Sequence, residues 1–433
     1  MRGKHACLPH GAFQPNPIIG MADAVVCGGG PAGISAALSA AEAGTLITGT
    51  NIMKPSIMDF GAKGDGIADD QEPFQRALDA NCARIEVPAG HYKIGRTLRI
   101  RSGTHLRLHP QATIRLADGA ARASDDYLLT NADPVAGDAD IVIAGGTWDG
   151  NNAGNPRQNG LFDEGYSGAM IHFRNVRDLR LEHMRLHNAE AYYARFTGVR
   201  DFHVEGISFS SDRVRHNNDG IHLGGHCTNG VIRKIRGLHP GVTGDDMVAL
   251  NADDALARTE VRGMTCGPIR NILIEELAAE GCHSFVRMLS VWSPIENVTV
   301  RGVRGSCEIA AINCDAARGC RVPLFDEANP PFPDGVGALR NIHVSDFRVA
   351  KSAKNDIALL RLETRMENMV IAGFRREMAG DQCPDQPTLR IRHVAAGRIA
   401  LQPGNVDRAV ACGDCVESFE TDIQKLAINE TVP

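Results

Sequence analysis

Short runs in which apolar and polar residues alternate recur along most of this chain. Examples are IEVPAGHYKI (85–94), HLRLHP (105–110) and ATIRL (112–116), separated by Gly, Pro or Asp. Alternation with period two marks a strand with one buried face. Many runs share the form apolar-x-apolar-x-x-apolar. Its middle apolar position falls at Leu108, Ile143, Leu181, Val204, Ile232, Ile274, Val300, Val344 and Ile371. The shorter intervals are 23 to 28 residues (181 to 204, 204 to 232, 274 to 300, 344 to 371), and the longer ones, 232 to 274 and 300 to 344, imply insertions. A period in the twenties with two or three short strands per repeat predicts an all-β solenoid. The LxxLxLxxN pattern of leucine-rich repeats is absent, and a sandwich would not repeat one strand motif.

Ahead of these strands, Asp69 and Asp70 can cap a helix with Glu72 and Pro73 in its first turn and an apolar face of Phe74, Ala77 and Leu78. The stretch from Ile57 to Gly95 resembles the N-terminal signature of the pectate-lyase-like superfamily. That resemblance implies a single-stranded right-handed parallel β-helix with an N-terminal capping helix, here over residues 53–433.

Each repeat carries a second strand: YYARF, DGIHLGG, DDMVALN, HSFVRMLS, EIAAIN and DIALLRL. Two successive ones, DGIHLGG and DDMVALN, open on Asp, in HNNDGIHLGG (216–225) and TGDDMVALN (243–251). Aligned on their alternation, Asp219 and Asp246 hold the same place at the head of successive strands, with Asp245 one residue earlier. Parallel neighbours lie about 4.8 Å apart, so three carboxylates would converge on one patch. Carboxylates packed that closely cannot all ionise freely, and at least one pKa should rise. A protonated acid beside an ionised base is what cleavage of a glycosidic bond requires. The structural alternative is an Asx turn at each strand entry. The same alignment puts Tyr192 below and Ser284 above the acids. It predicts a neighbouring outward column of Arg195, His222, Ala249, Arg287 and Ala311, a setting suited to an acidic sugar.

NNDGIHL and GDDMVALN resemble the NTDG and GDD motifs of glycoside hydrolase family 28, the polygalacturonases and their relatives. The resemblance covers roughly residues 53–350. It implies an inverting hydrolase of a uronic-acid-containing (pectin-like) or related glycan, with Asp246 as general acid and Asp219 and Asp245 activating water. The family's RIK motif corresponds to Val286-Arg287-Met288-Leu289, so Arg287 is kept and the lysine is replaced by Leu289. The family's GHG histidine has no clear counterpart, and His283 or His222 could substitute. Substrate-binding candidates are therefore Arg287, His283, His222, Asn218 and Arg195, with no cofactor and no metal. Tyr192, Tyr193 and Trp292 are candidates for stacking on sugar rings. A polysaccharide lyase with Ca²⁺ on acids such as Asp253 and Asp254, and a non-catalytic glycan-binding solenoid, are the alternatives.

A formal charge of −6 gives no general attraction to nucleic acid or anionic lipid. No apolar window of about 18 residues predicts a membrane span. Twelve Cys are scattered rather than arranged as a framework, which favours a reducing compartment, and a capped solenoid is expected to be monomeric. Residues 1–52 differ from the rest. AVVCGGGPAGISAALSAAEAG (24–44) holds Gly28, Gly30 and Gly33 in dinucleotide-binding spacing. It resembles the start of flavin-dependent oxidoreductases, but Thr48 stands where the ribose-binding acid belongs and too little chain follows for a nucleotide-binding sheet. The expectation is a truncated remnant without cofactor. A signal peptide fits this segment poorly, which favours the cytoplasm over secretion.

Overall fold

The computed structural model describes residues 55–80, 82–157, 165–253, 265–316 and 336–391, with the strands Ile399–Leu401 and Ala409–Ala411. The chain divides between Met53 and Lys54 into two compact units. The first, with its glycine-rich segment, lies outside the described residues.

The second unit is a right-handed parallel β-helix, with 26 strands among the described residues. Its pairings are parallel throughout because each strand hydrogen-bonds its counterpart one coil away. One inward column runs Ile143, Leu181, Val204, Ile232, Ile274, Val300, Val344 and Ile371, each in register with the next and each fully buried. Burial of such a side chain is worth roughly 1.5–3 kcal/mol, so the column is a principal part of the core. A second column, Ile171, Ala194, Ile221, Val248, Val286, Ile312, Leu360 and Leu389, lies behind the acid-bearing strands.

The first expected column member is corrected: Leu106, not Leu108, pairs with Ile143. Both leucines face inward, and alternation leaves a two-residue ambiguity. The helix forms over Gln71–Asp79 with Phe74, Ala77 and Leu78 buried. Asp69 accepts from the Gln71 N–H at 3.0 Å. The Asp70 carboxylate instead receives the Lys63 and Gly64 N–H groups at 2.6 and 3.0 Å, tying the loop ahead of the helix to its start.

One corner is built from asparagines in the left-handed conformation, which Asn tolerates better than most residues. Asn229, Asn271, Asn297, Asn341 and Asn368 all have φ between 56° and 58°, apart from Asn341 at 54°. Each after Asn229 donates an amide hydrogen bond to the Asn of the preceding coil, and Asn229 donates to Asp201 Oδ1 at 2.8 Å. Cys227, Cys282, Cys307, Cys314 and Cys383 are buried free thiols, behaving as small apolar residues, whereas Cys82 is disulfide-bonded. No helix among the described residues is long and apolar enough to cross a membrane.

Candidate active site

Strand Asp219–Leu223 pairs with strand Asp246–Asn251, which pairs with Ile269–Leu289. Ile221 lies opposite Val248, so the two acid-bearing strand heads align. Local backbone sets this up. Asn217 sits at φ 57° and turns the chain into its strand. At Gly220 a side chain would land on the Met247 carbonyl and the Phe209 ring, and at Gly244 on the Arg215 carbonyl. The glycines of both motifs therefore permit close approach of adjacent coils.

The Asp246 N–H donates to Asp219 Oδ1 at 3.0 Å, and His222 Nδ1 lies 2.7 Å from Asp219 Oδ2. Asp245 stands beside them, with His283 Nδ1 at 3.3 Å from its Oδ1. Asp219 and Asp246 are 5 % and 1 % exposed. The side chains of Asp245 and His283, 18 % and 34 % exposed, lead from them to solvent.

Burial raises the Asp219 carboxyl well above the usual range, and the charge of Asp245 raises it further. Arg287 and the Asp246 N–H act in the opposite sense. Asp246 is raised in the same way by burial, then by Asp245 and Asp219, against Arg287. Burial lowers His283 despite the nearby Asp245, so its imidazole favours the neutral form. At Arg287 burial works against the charge, but Asp315, Asp246, Asp245 and Asp219 outweigh it.

Of the predicted site residues, Asp219, Asp245, Asp246, His222, His283 and Arg287 come together. Arg287 Nη1 is 4.0 Å from Asp246 Oδ2, and its Nε donates to Asp315 Oδ1 at 3.0 Å. Two other candidates are interior. Arg195 is 1 % exposed, one coil from His222, with Nη2 at 3.1 Å from His172 Nδ1 and its guanidinium over the Tyr192 ring. Asn218 is fully buried and donates to the Ala189 and Ala191 carbonyls, both at 3.2 Å.

Among the aromatic candidates, Tyr193 is fully buried with its hydroxyl on the Ser210 carbonyl. Tyr192 packs edge-on against His222, and Trp292 is 36 % exposed. Asp253 accepts from the backbone N–H groups of Val291, Trp292 and Ser293. Its carboxylate is thus engaged in holding a turn, and Asp254 lies outside the described residues.

The predicted outward column needs a correction. Arg287 pairs with Asn313 rather than Ala311, and Ser284 with Ala310. The pairing offset is the same before Cys282 (Ala279 opposite Gly305) and after it (Ser284 opposite Ala310), so the simple alignment slipped by one full step of the alternation. Sequence reasoning also missed Asp315, 1 % exposed, which lies 3.8 Å from Arg361 as well as contacting Arg287. The available signal was an acid directly after the strand that follows Arg287. Asp245, Asp246 and His283 place ligand atoms within 4.8 Å of one another, and among the described residues they could hold a metal ion.

Comparison with known proteins fits this geometry. Residues 55–153 match the model of a family described as rhamnogalacturonase A/epimerase, pectate lyase-like. A probable polygalacturonase of Arabidopsis thaliana is 23 % identical over 277 residues, covering 61 % of this chain and 55 % of the relative. The family 28 exopolygalacturonase of Yersinia enterocolitica superposes with a TM-score of 0.55 at 15 % identity, covering 83 % of this chain and 78 % of that one. The chain is a right-handed parallel β-helix that resembles the polygalacturonases in fold. The β-helix also resembles PfbA, a surface adhesin of Streptococcus pneumoniae, with a TM-score of 0.52 at 15 % identity over 81 % of this chain and 90 % of the adhesin. It spans about half the length of the curated relatives it matches, 55 % and 56 % for two Arabidopsis proteins.

Proposed function

We propose that the β-helix is an inverting glycoside hydrolase acting on a pectin-like or related polysaccharide. Asp246 is the general acid that protonates the leaving oxygen, and Asp219 and Asp245 position and activate the attacking water. The observation that carries this reading is the union of Asp219 and Asp246 from successive coils, joined by one backbone hydrogen bond and both raised in pKa by burial and by Asp245. A carboxyl kept protonated near neutrality can donate to a glycosidic oxygen. Asp245 at the solvent side has room to serve the water. Inversion needs an acid and a base on opposite faces of the sugar, and the cluster offers carboxyls on two coils.

The test is release of reducing ends from a panel of pectic and related oligosaccharides by wild type and Asp246→Asn. The reading expects cleavage that falls about 10²- to 10⁴-fold in the variant, the usual range for a general acid. Cleavage that survives unchanged would contradict it.

A further inference from the structure

The carboxylates of the candidate site are unequally committed. Asp219 has both oxygens taken, Oδ2 by His222 and Oδ1 by the Asp246 N–H. Asp245 receives Asn217 Nδ2 on Oδ2 at 3.4 Å, and its Oδ1 faces His283 Nδ1 at 3.3 Å. Asp246 Oδ1 is buried and has no hydrogen-bond partner among the described residues. A buried polar atom left unpaired is costly, so this oxygen points to a ligand that engages its lone pairs.

Asp245, Asp246 and His283 each bring one ligating atom, and the three atoms lie within 4.8 Å of one another. The 3.3 Å between Asp245 and His283 is long for a charge-assisted hydrogen bond, which runs to about 2.9 Å. It is close to the edge of a tetrahedron around zinc, where ligands about 2.0–2.1 Å from the ion stand roughly 3.4 Å apart. The fold sets this spacing in advance. The His283 N–H donates to the Thr243 carbonyl at 3.0 Å, and Thr243 Oγ1 donates to the Asp245 carbonyl at 2.6 Å. Both ligand-bearing segments thus hang on one buried threonine. Asp245 and His283 are part-exposed, which gives an ion a route in and leaves room for water as a fourth ligand. Around Asp246, the carboxyls of Asp245, Asp219 and Asp315 stand against Arg287, a setting that attracts cations. Two carboxylates and an imidazole suit a borderline transition ion such as Zn²⁺. Ca²⁺ takes about six to eight oxygen ligands, which this set does not supply.

We propose that Asp245, Asp246 and His283 form a site for one divalent ion of the zinc class, and that its occupancy shuts hydrolysis off. The second half rests on the hydrolase reading. An ion held by Asp246 takes the carboxylate that has to carry the proton to the leaving oxygen. Held by Asp245 as well, it occupies the place of the attacking water.

The test is calorimetry of the full chain, stripped of metals with EDTA, dialysed, and titrated with Zn²⁺ alone and with Ca²⁺ alone. The proposal expects one Zn²⁺ per chain, bound about 100-fold or more tightly than Ca²⁺. His283→Ala and Asp245→Asn should each weaken zinc about tenfold or more; both positions are part-exposed, and either variant keeps the test open should the other not fold. Zinc bound no more tightly than Ca²⁺, or equally by wild type and both variants, would overturn the site. In cleavage assays saturating Zn²⁺ should lower wild-type turnover about tenfold or more, with EDTA restoring it. Cleavage unchanged or raised by zinc would overturn the inhibitory role. Should no oligosaccharide be cleaved with or without zinc while the variants still lose the ion, the hydrolase reading falls and the metal site stands.

Discussion

His222 Nδ1 and Asp219 Oδ2 lie 2.7 Å apart at the floor of the candidate site. Both side chains are almost fully buried, at 4 % and 7 % exposure, and the His222 ring is held edge-on by Tyr192 with centroids 4.9 Å apart. The imidazole therefore fixes one oxygen of Asp219 while the Asp246 N–H fixes the other. His222→Ala should release that carboxyl. A hydrogen bond to a charged group is worth about 1.5–3 kcal/mol, so kcat should fall on the order of 10- to 100-fold with a smaller change in KM. Steady-state kinetics on the cleaved oligosaccharide check this.

The raised carboxyls also predict how stability depends on pH. Asp219 and Asp246 hold protons more tightly folded than unfolded. Their contribution is complete below the ordinary Asp value of 3.8 and is lost as pH rises through their raised folded values. Asp246→Asn replaces the carboxyl by a neutral group of similar shape. The variant should be more stable than wild type at pH 7, on the order of 1–3 kcal/mol, with the difference shrinking below pH about 4. Thermal unfolding at both pH values measures it.

These features were unevenly legible in the sequence. Period-two alternation revealed the coils and the alignment of Asp219 with Asp246, because a buried face fixes which residues point inward. It could not fix register to better than two residues, and it therefore named Leu108 for Leu106 and Ala311 for Asn313. Arg195 and Asn218 looked like ligand-binding residues by type, yet the stack takes both inside, where His172 and two backbone carbonyls engage them. Asp315 and Glu190 belong to no repeated pattern. Their importance comes from partners supplied by distant coils, which a linear reading cannot pair.

Glu190 illustrates the last point. Its side chain is fully buried and faces Arg215, with Nη2 and Nε each at 2.9 Å from its oxygens, and Arg157, with Nε at 3.5 Å. Arg157 also donates to the His216 carbonyl at 2.8 Å, so this cluster pins the segment that leads into Asp219. Glu190→Ala leaves two guanidiniums without their carboxylate and should destabilise the fold by about 3–5 kcal/mol. Denaturant unfolding reports the loss.

The most direct measurement of the central claim is the anomeric configuration of the first product, followed by proton NMR during cleavage. The account predicts inversion at the newly formed reducing end, abolished in Asp219→Asn and Asp246→Asn. Retention of configuration, or an unsaturated product in place of a reducing end, would contradict it.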